Sequence, residues 1–256
     1  MTPTAERDFL VGVQVQPERA GLNAILAAWR QLDALGVDSL WLPDHFFPVS
    51  PGDPSGENFE CWTLLAALAS STNATIGSLV SCTAYRSPDL LADMARTTSV
   101  ISGGRLVLGL GAGWCERDHV EYGLPFGDQG GRLRRFEADL GRIRARLPQL
   151  NPPAAGLRVL IGGGGEKVTL RLVGEHADLW NAFGPPESFA RKNAVLDQWC
   201  AKAGRDPRSI ERTVFLEASE VSRVDEYLAA GAEHLIVGLA APFDLDPVER
   251  LMNLRR

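Results

Sequence analysis

Two kinds of hydrophobic pattern alternate along this chain. Short, almost continuous apolar runs rich in β-branched residues predict strands that are covered on both faces. Eight such runs are found, at residues 9–15, 37–42, 74–81, 105–111, 157–162, 177–183, 212–218 and 233–239. Between them, apolar residues that recur every three or four positions predict amphipathic helices. These helices are placed at residues 23–35, 59–70, 88–102, 132–147, 167–176, 187–203 and 224–231.

The order of these elements predicts a (β/α)8 TIM barrel. Strands that each lead into a helix form parallel sheets, and eight such units in 256 residues match the usual size of this barrel, about 250 residues. A doubly wound open sheet is the alternative arrangement. No repeat, linker or change of composition divides the chain, so residues 1–256 are predicted to form a single barrel domain.

Composition narrows the class of protein. Hydrophobic residues make up 45% and charged residues 23%, which is too apolar for a disordered chain. The formal net charge of −6 argues against a nucleic-acid partner. No apolar run reaches the ~20 residues that span a bilayer, and the first residues lack the pattern of a secretion signal. We therefore expect a cytoplasmic globular protein that binds a small molecule. Neither a membrane nor a nucleic acid is expected as its partner.

The cysteines predict free thiols. They form no CxxC pair and no histidine motif accompanies them, so a structural zinc site is not expected. Unpaired thiols also fit a reducing compartment. The residues are Cys61, Cys82, Cys115 and Cys200.

In a (β/α)8 barrel the active site lies where the strands end, so glycines at strand ends are candidates for ligand contact. Gly162–Gly165 follow the fifth predicted strand and precede a helix. Four consecutive glycines let backbone N–H groups close around an anion, and the start of the helix adds its positive dipole end. We interpret this run as a phosphate site; a tight turn without a ligand is the alternative. Residues 109–113 (GLGAG), at the end of the fourth strand, are a weak dinucleotide signal, but glycines here suit close approach of the backbone to a ring or phosphate.

Histidines offer the clearest acid–base candidates. Asp44 and His45 end the second strand, where a (β/α)8 barrel places its catalytic groups. A structural histidine is the alternative for His45. His176 and His234 precede or begin strands and are interpreted as structural, whereas either role stays open for His119.

Motifs for catalysis by protein groups alone are missing from the sequence. It contains no nucleophile elbow, no H-E-x-x-H motif, no Walker loop and no paired-carboxylate motif. The candidate site is rich in glycine and poor in acid–base side chains. This composition suits a bound cofactor that carries the chemistry while the barrel positions it.

Several stretches resemble the luciferase-like monooxygenase superfamily, in particular its F420-dependent oxidoreductase branch. The specific part is the spacing of AYRSP (84–88), SGGR (102–105) and GLGAGW (109–114). The matching stretches are GVDSLWLPDHF (36–46), residues 76–114, YGLPF (122–126) and residues 159–183. The resemblance covers roughly residues 9–240.

The resemblance implies a bacterial-luciferase-like barrel that binds coenzyme F420, or alternatively FMN, at the carboxyl ends of its strands. It implies a non-proline cis peptide at Leu79–Val80 behind the cofactor ring, and it places Asp44 and His45 beside the reacting edge of a deazaflavin. No metal is implied. The implied cofactor-binding residues are Ser78, Leu79, Val80, Gly111, Ala112, Gly113, Gly162, Gly163, Gly164, Gly165 and Asn181.

The chain also departs from the family pattern. Trp114 stands where F420-dependent sugar-phosphate dehydrogenases carry a glutamate, so their substrate is not implied. The connection at residues 148–156 and the one between the last two strands are short, which predicts an open, shallow site.

The leading hypothesis is an F420-dependent oxidoreductase that transfers a hydride between the deazaflavin and a small organic substrate. His45, helped by Asp44, is the predicted acid–base group. An FMN-dependent monooxygenase and a non-catalytic flavin- or deazaflavin-binding protein are the alternatives, and a barrel lyase or isomerase is disfavoured because no lysine ends a strand. Family members often dimerise, which makes the helix at 59–70 a candidate homodimer face.

Overall fold

A computed structural model describes residues 8 to 255, and its centre is a closed barrel of parallel strands surrounded by helices. The strands are β1 (Leu10–Val15), β2 (Ser39–Leu42), β3 (Thr75–Ser78), β4 (Ser81–Cys82), β5 (Leu106–Gly111), β6 (Arg158–Gly162), β7 (Leu179–Ala182), β8 (Glu211–Leu216) and β9 (His234–Leu239). Their order is β3-β2-β1-β9-β8-β7-β6-β5-β4, and β3 also pairs with β5. Because β4 continues the path of β3, the nine segments make eight barrel positions. The predicted barrel is confirmed over the open sheet.

The helices cover the outside of the barrel. They are α1 (Leu22–Leu35), α2 (Cys61–Ser71), α3 (Pro88–Ile101), α4 (Glu116–Glu121), α5 (Gln129–Arg146), α6 (Thr169–His176), α7 (Pro186–Lys202), α8 (Val224–Ala229) and α9 (Asp246–Arg255). The short helix α4 was not predicted, because its buried residues Asp118 and His119 are polar and give no apolar stripe. Within residues 8 to 255, no helix has the length and hydropathy needed to span a bilayer.

The first residue of α5 is set by side-chain capping and not by the apolar pattern of the helix. The apolar stripe predicts a start at residue 132, but the helix begins three residues earlier, at Gln129. Asp128 is the N-cap, and its carboxylate accepts a hydrogen bond of 2.5 Å from the N–H of Gly131. Side-chain capping therefore compensates for the two glycines in the first turn.

Alternate residues of the strands divide the apolar core into two parts. One set faces the helices and forms the large outer core, as Leu40 and Leu108 do. The other set points into the barrel and fills its lumen, so the barrel is packed and is not a pore. This inner cluster consists of Trp41, Leu79, Val107, Leu160, Leu179 and Ile236.

Helix α2 directs its apolar side chains into the outer core. Trp62, Leu65 and Leu68 are buried there. The positions left exposed carry small or polar residues, among them Thr63 and Ser70. The apolar character of this helix is therefore explained by the core, and the homodimer stays a prediction.

All four cysteines are free thiols, as predicted. Cys61, Cys82 and Cys200 are buried and Cys115 is partly buried. Burial raises the pKa of each thiol above its ordinary value.

Candidate active site

A cavity of about 500 Å³ opens at the carboxyl ends of the strands, within the usual size range of small-molecule sites. It is the place where the sequence predicts the cofactor. Every predicted site residue except Ser78 lines it, namely Asp44, His45, Leu79, Val80, Gly111, Ala112, Gly113, Gly162, Gly163, Gly164, Gly165 and Asn181.

Ser78 does not reach the cavity. Its side chain is fully buried, and its hydroxyl donates a hydrogen bond of 2.9 Å to the carbonyl oxygen of Gly109. It also accepts one from the hydroxyl of Ser81 at 2.9 Å. Ser78 therefore ties β3 to β5 beneath the site, and the expectation that it contacts the cofactor is corrected.

The floor of the cavity is formed by the Leu79–Val80 segment. The peptide bond between these residues is cis, as the family resemblance implies. The amide of Gln14 donates a hydrogen bond of 2.5 Å to the carbonyl oxygen of Leu79 and fixes the segment from below. A Cβ on Gly111 or on Gly162 would lie 2.6 Å or 2.8 Å from the methyl groups of Val80. Glycine at these two positions therefore makes room for Val80.

The glycine run lines part of the cavity with groups that suit an anion. Gly163 has a φ of +124°, a conformation that favours glycine, and its N–H donates to Asn181. The N–H groups of Gly164 and Gly165 have no partner among residues 8 to 255. Thr169, the first residue of α6, places its hydroxyl 2.9 Å from where a Cβ on Gly165 would lie. Free N–H groups, a hydroxyl and a helix start together suit a phosphate.

A lysine that the sequence reasoning missed completes this surface. The ammonium group of Lys192, on α7, lies in the space that a Cβ on Gly164 would occupy. A phosphate beside Gly164 would therefore meet a positive charge as well as N–H donors. The one signal in the sequence that could have pointed to Lys192 is the rarity of lysine, which accounts for only three of the 26 basic residues.

His45 is held by a carboxylate from a distant part of the chain. Its Nδ1 lies 2.6 Å from Oδ2 of Asp118, which also accepts a hydrogen bond of 2.7 Å from the hydroxyl of Tyr85. The N–H of Phe46 donates to the other oxygen at 3.1 Å. Burial alone would raise the pKa of Asp118, but the hydrogen bonds from His45 and Tyr85 outweigh it and hold that pKa below its usual value. An ionised Asp118 keeps the proton on Nδ1, so Nε2 is left for a ligand in the cavity.

Asp44 has a different partner from the one predicted. Its carboxylate is bound by both nitrogens of the Arg86 fork, at 2.6 Å and 2.9 Å, and Arg86 also contacts Glu60 at 2.6 Å. Burial raises the pKa of Asp44, and Arg86 offsets this only in part. The residue that supports His45 is therefore Asp118, and Asp44 belongs to a separate ion-pair network at the cavity wall.

Aromatic side chains surround the outer part of the cavity. Trp114 and Phe183 are 66% and 65% exposed, and Phe215 lies deeper, where Gly238 leaves room for its ring. The ring of Trp114 meets His45 edge-on at 5.4 Å between centroids. The cavity is therefore lined by the polar glycine run after β6 and by apolar rings that follow β5 and β7 or lie on β8.

The fold and the cavity define a (β/α)8 barrel with a ligand site at the carboxyl ends of its strands. The chain belongs to the luciferase-like monooxygenase family, whose model matches residues 9–251.

Known proteins agree with this assignment at the level of fold and family. A curated relative from Mycobacterium tuberculosis, phthiodiolone/phenolphthiodiolone dimycocerosates ketoreductase, is 27% identical over 244 residues, which cover 79% of this chain and 61% of the relative. The chain thus spans less than two thirds of that protein. A solved F420-dependent secondary alcohol dehydrogenase superposes with a TM-score of 0.85 at 14% identity, covering 97% of this chain and 98% of that one. EDTA monooxygenase from Chelativorans sp. BNC1 gives a TM-score of 0.78 at 13% identity, with 97% and 92% covered. At these identities the two structures show the fold alone.

Proposed function

We propose that this protein is a cytoplasmic oxidoreductase that binds coenzyme F420 and transfers a hydride between the deazaflavin and a small organic substrate. The observation that carries the proposal is that one cavity combines three features. They are a floor formed by Val80, a glycine run that suits a phosphate, and a histidine whose ring is held by a carboxylate. When bound, the deazaflavin supplies the hydride chemistry that the side chains cannot.

Each part of the cavity has its own task in this proposal. Leu79 and Val80 support one face of the ring, while the free N–H groups of Gly164 and Gly165 and the ammonium of Lys192 bind the phosphate. His45 holds or releases a proton at Nε2, and Asp118 keeps its ring in one orientation. Asp44 and Arg86 form the neutralised wall beside it.

The proposal of F420 is supported by the fold shared with an F420-dependent secondary alcohol dehydrogenase. The reduction of a ketone, for which the curated ketoreductase is named, needs a proton donor such as His45. The similarity to EDTA monooxygenase keeps an FMN-dependent monooxygenase as the second candidate, because the same floor and phosphate surface would hold FMN.

The test is a titration of the protein with F420 and, separately, with FMN, followed by ligand and tryptophan fluorescence. We expect micromolar or tighter binding of F420 and weaker binding of FMN. A preference for FMN would favour the monooxygenase, tight binding without any substrate-driven redox change would favour a non-catalytic binding protein, and binding of neither would contradict the proposal.

Lys192→Met sharpens this titration. We expect it to weaken F420 binding about tenfold, or ~1.4 kcal/mol, and to leave binding of the same deazaflavin without its phosphate unchanged. Lys202→Met is the matched control, because Lys202 lies on the same helix but its ammonium group contacts the ring of Trp199. Equal losses for both ligands would show that Lys192 does not meet the phosphate.

A further inference from the structure

Two aromatic side chains that line the cavity are largely exposed. Trp114 and Phe183 rank among the most exposed large apolar side chains of residues 8 to 255. Exposed apolar surface at the mouth of a cavity marks a place where a ligand is bound. Phe215 and Leu133 extend this apolar surface inward.

The described residues that line the cavity carry no lysine or arginine charge. The cation of Lys192 lies at the glycine run, where the cofactor phosphate is proposed to bind, and that of Arg86 is bound by Asp44 and Glu60. A carboxylate or phosphate on the substrate would therefore lose its hydration and gain no opposite charge.

Charge at the wall also disfavours an anion. Asp44 lines the cavity, and its two contacts with Arg86 leave the pair with no free positive charge. Beside it, His45 presents a ring nitrogen, Nε2, that has no hydrogen-bond partner among the described residues. This nitrogen suits a neutral oxygen atom that gains or loses a proton during the reaction.

We propose that the substrate is an uncharged ketone, or the corresponding secondary alcohol, whose apolar, preferably aromatic, group packs against Trp114 and Phe183. The inference rests on the proposed function. In the reducing direction the carbonyl carbon receives a hydride from the reduced deazaflavin, and the carbonyl oxygen receives a proton from Nε2 of His45. The ketone becomes the alcohol, the cofactor is oxidised, and solvent returns the proton to His45.

Three ketones of one framework test the inference, namely acetophenone, methyl 4-acetylbenzoate and 4-acetylbenzoate. Binding to the protein is measured by ligand-observed NMR with and without F420, and turnover is measured on the F420-loaded protein. We expect the methyl ester to bind at least about tenfold more tightly than the carboxylate of nearly the same size. Equal or tighter binding of the carboxylate, or no binding of any of the three, would overturn the inference.

A positive charge placed at the mouth should weaken the preference for the ester. Phe183→Arg is expected to narrow the ratio of ester to carboxylate affinity at least about fivefold. Ile101→Arg is the matched control, since it adds the same charge at an exposed position in the last turn of α3 and should leave the ratio unchanged. An unchanged ratio in Phe183→Arg would remove Phe183 from the substrate site.

These measurements separate the two proposals. Tight F420 binding together with a preference for the carboxylate would overturn the substrate class and leave the proposed function standing. Preferential binding of the neutral ketone without any binding of F420 would overturn the proposed function and retain the apolar ligand site.

Discussion

Asp118 is the residue that holds the ring of His45 in place. It reaches His45 from 73 positions along the chain, so no local pattern joins them, and the acidic helix around it resembles any solvated segment. His45 could be predicted because it directly follows a strand, whereas its partner needed the fold. Asp44, the neighbour of His45 in sequence, was predicted to support His45, and that prediction was wrong because Asp44 is paired with Arg86.

Asp118→Asn should separate the positioning of His45 from the binding of the cofactor. An amide cannot provide the negative charge that holds the proton on Nδ1 of His45, so proton transfer at Nε2 becomes slower. We expect kcat to fall roughly ten- to hundredfold, while the affinity for F420 changes less than about twofold. The control is Tyr85→Phe, which keeps the charge and removes one hydrogen bond, and should cost less than about tenfold. If the asparagine variant lost cofactor affinity and kcat in equal measure, Asp118 would have only a structural role.

At the scale of elements, the floor of the cavity is shaped where β3 and β4 meet β5 and β6. The side chain of Val80 projects between these strands. Gly111 and Gly162 lie opposite it, and the absence of a Cβ at both positions leaves room for it. Gly111→Ala places a Cβ 2.6 Å from a methyl group of Val80, so the floor must shift. We expect the affinity for the cofactor to fall at least about tenfold.

The double variant Gly111→Ala with Val80→Ala returns the missing space, so it should recover part of that affinity. Gly141→Ala is the control glycine, since a Cβ there meets nothing within 4 Å in the middle of α5. It should leave binding unchanged and stabilise the fold by ~0.5–1 kcal/mol. No recovery in the double variant would mean that the two side chains do not compete for one space.

These elements also show what the sequence could predict. The strands were found because buried parallel strands are continuously apolar, and the glycine run because its composition is unusual. The break of the third predicted strand into β3 and β4 was not predicted, because residues 74–81 read as one apolar run. Helix α4 and the contact of Lys192 with Gly164 were missed for the same reason, namely that tertiary contacts and not local pattern create them.

The barrel strands are joined at the other end of the barrel by a partly buried polar network. His234 on β9 contacts Ser39 on β2 at 2.8 Å and Glu211 on β8 at 2.7 Å, and Arg158 on β6 contacts Glu211 at 2.7 Å. Burial alone would raise the pKa of Glu211, but the contacts with His234 and Arg158 outweigh it and hold the pKa below its usual value. The network connects β2 and β6 with the consecutive strands β8 and β9, at the end of the barrel opposite to the cavity.

The stability of the whole molecule should therefore depend on the charge of Glu211. Because its pKa is lower in the folded than in the unfolded protein, its contribution is present above the unfolded value of about 4.3 and is lost as the pH falls through the folded value. We expect Glu211→Gln to lower Tm at pH 7 by about 2–6 °C, from a loss of ~1–2 kcal/mol, and the gap to the unsubstituted protein to close towards pH 3. Glu249→Gln, at an exposed position on α9, should give no such gap. A gap that is equally wide at pH 7 and pH 3 would mean that the carboxylate charge of Glu211 does not stabilise the barrel.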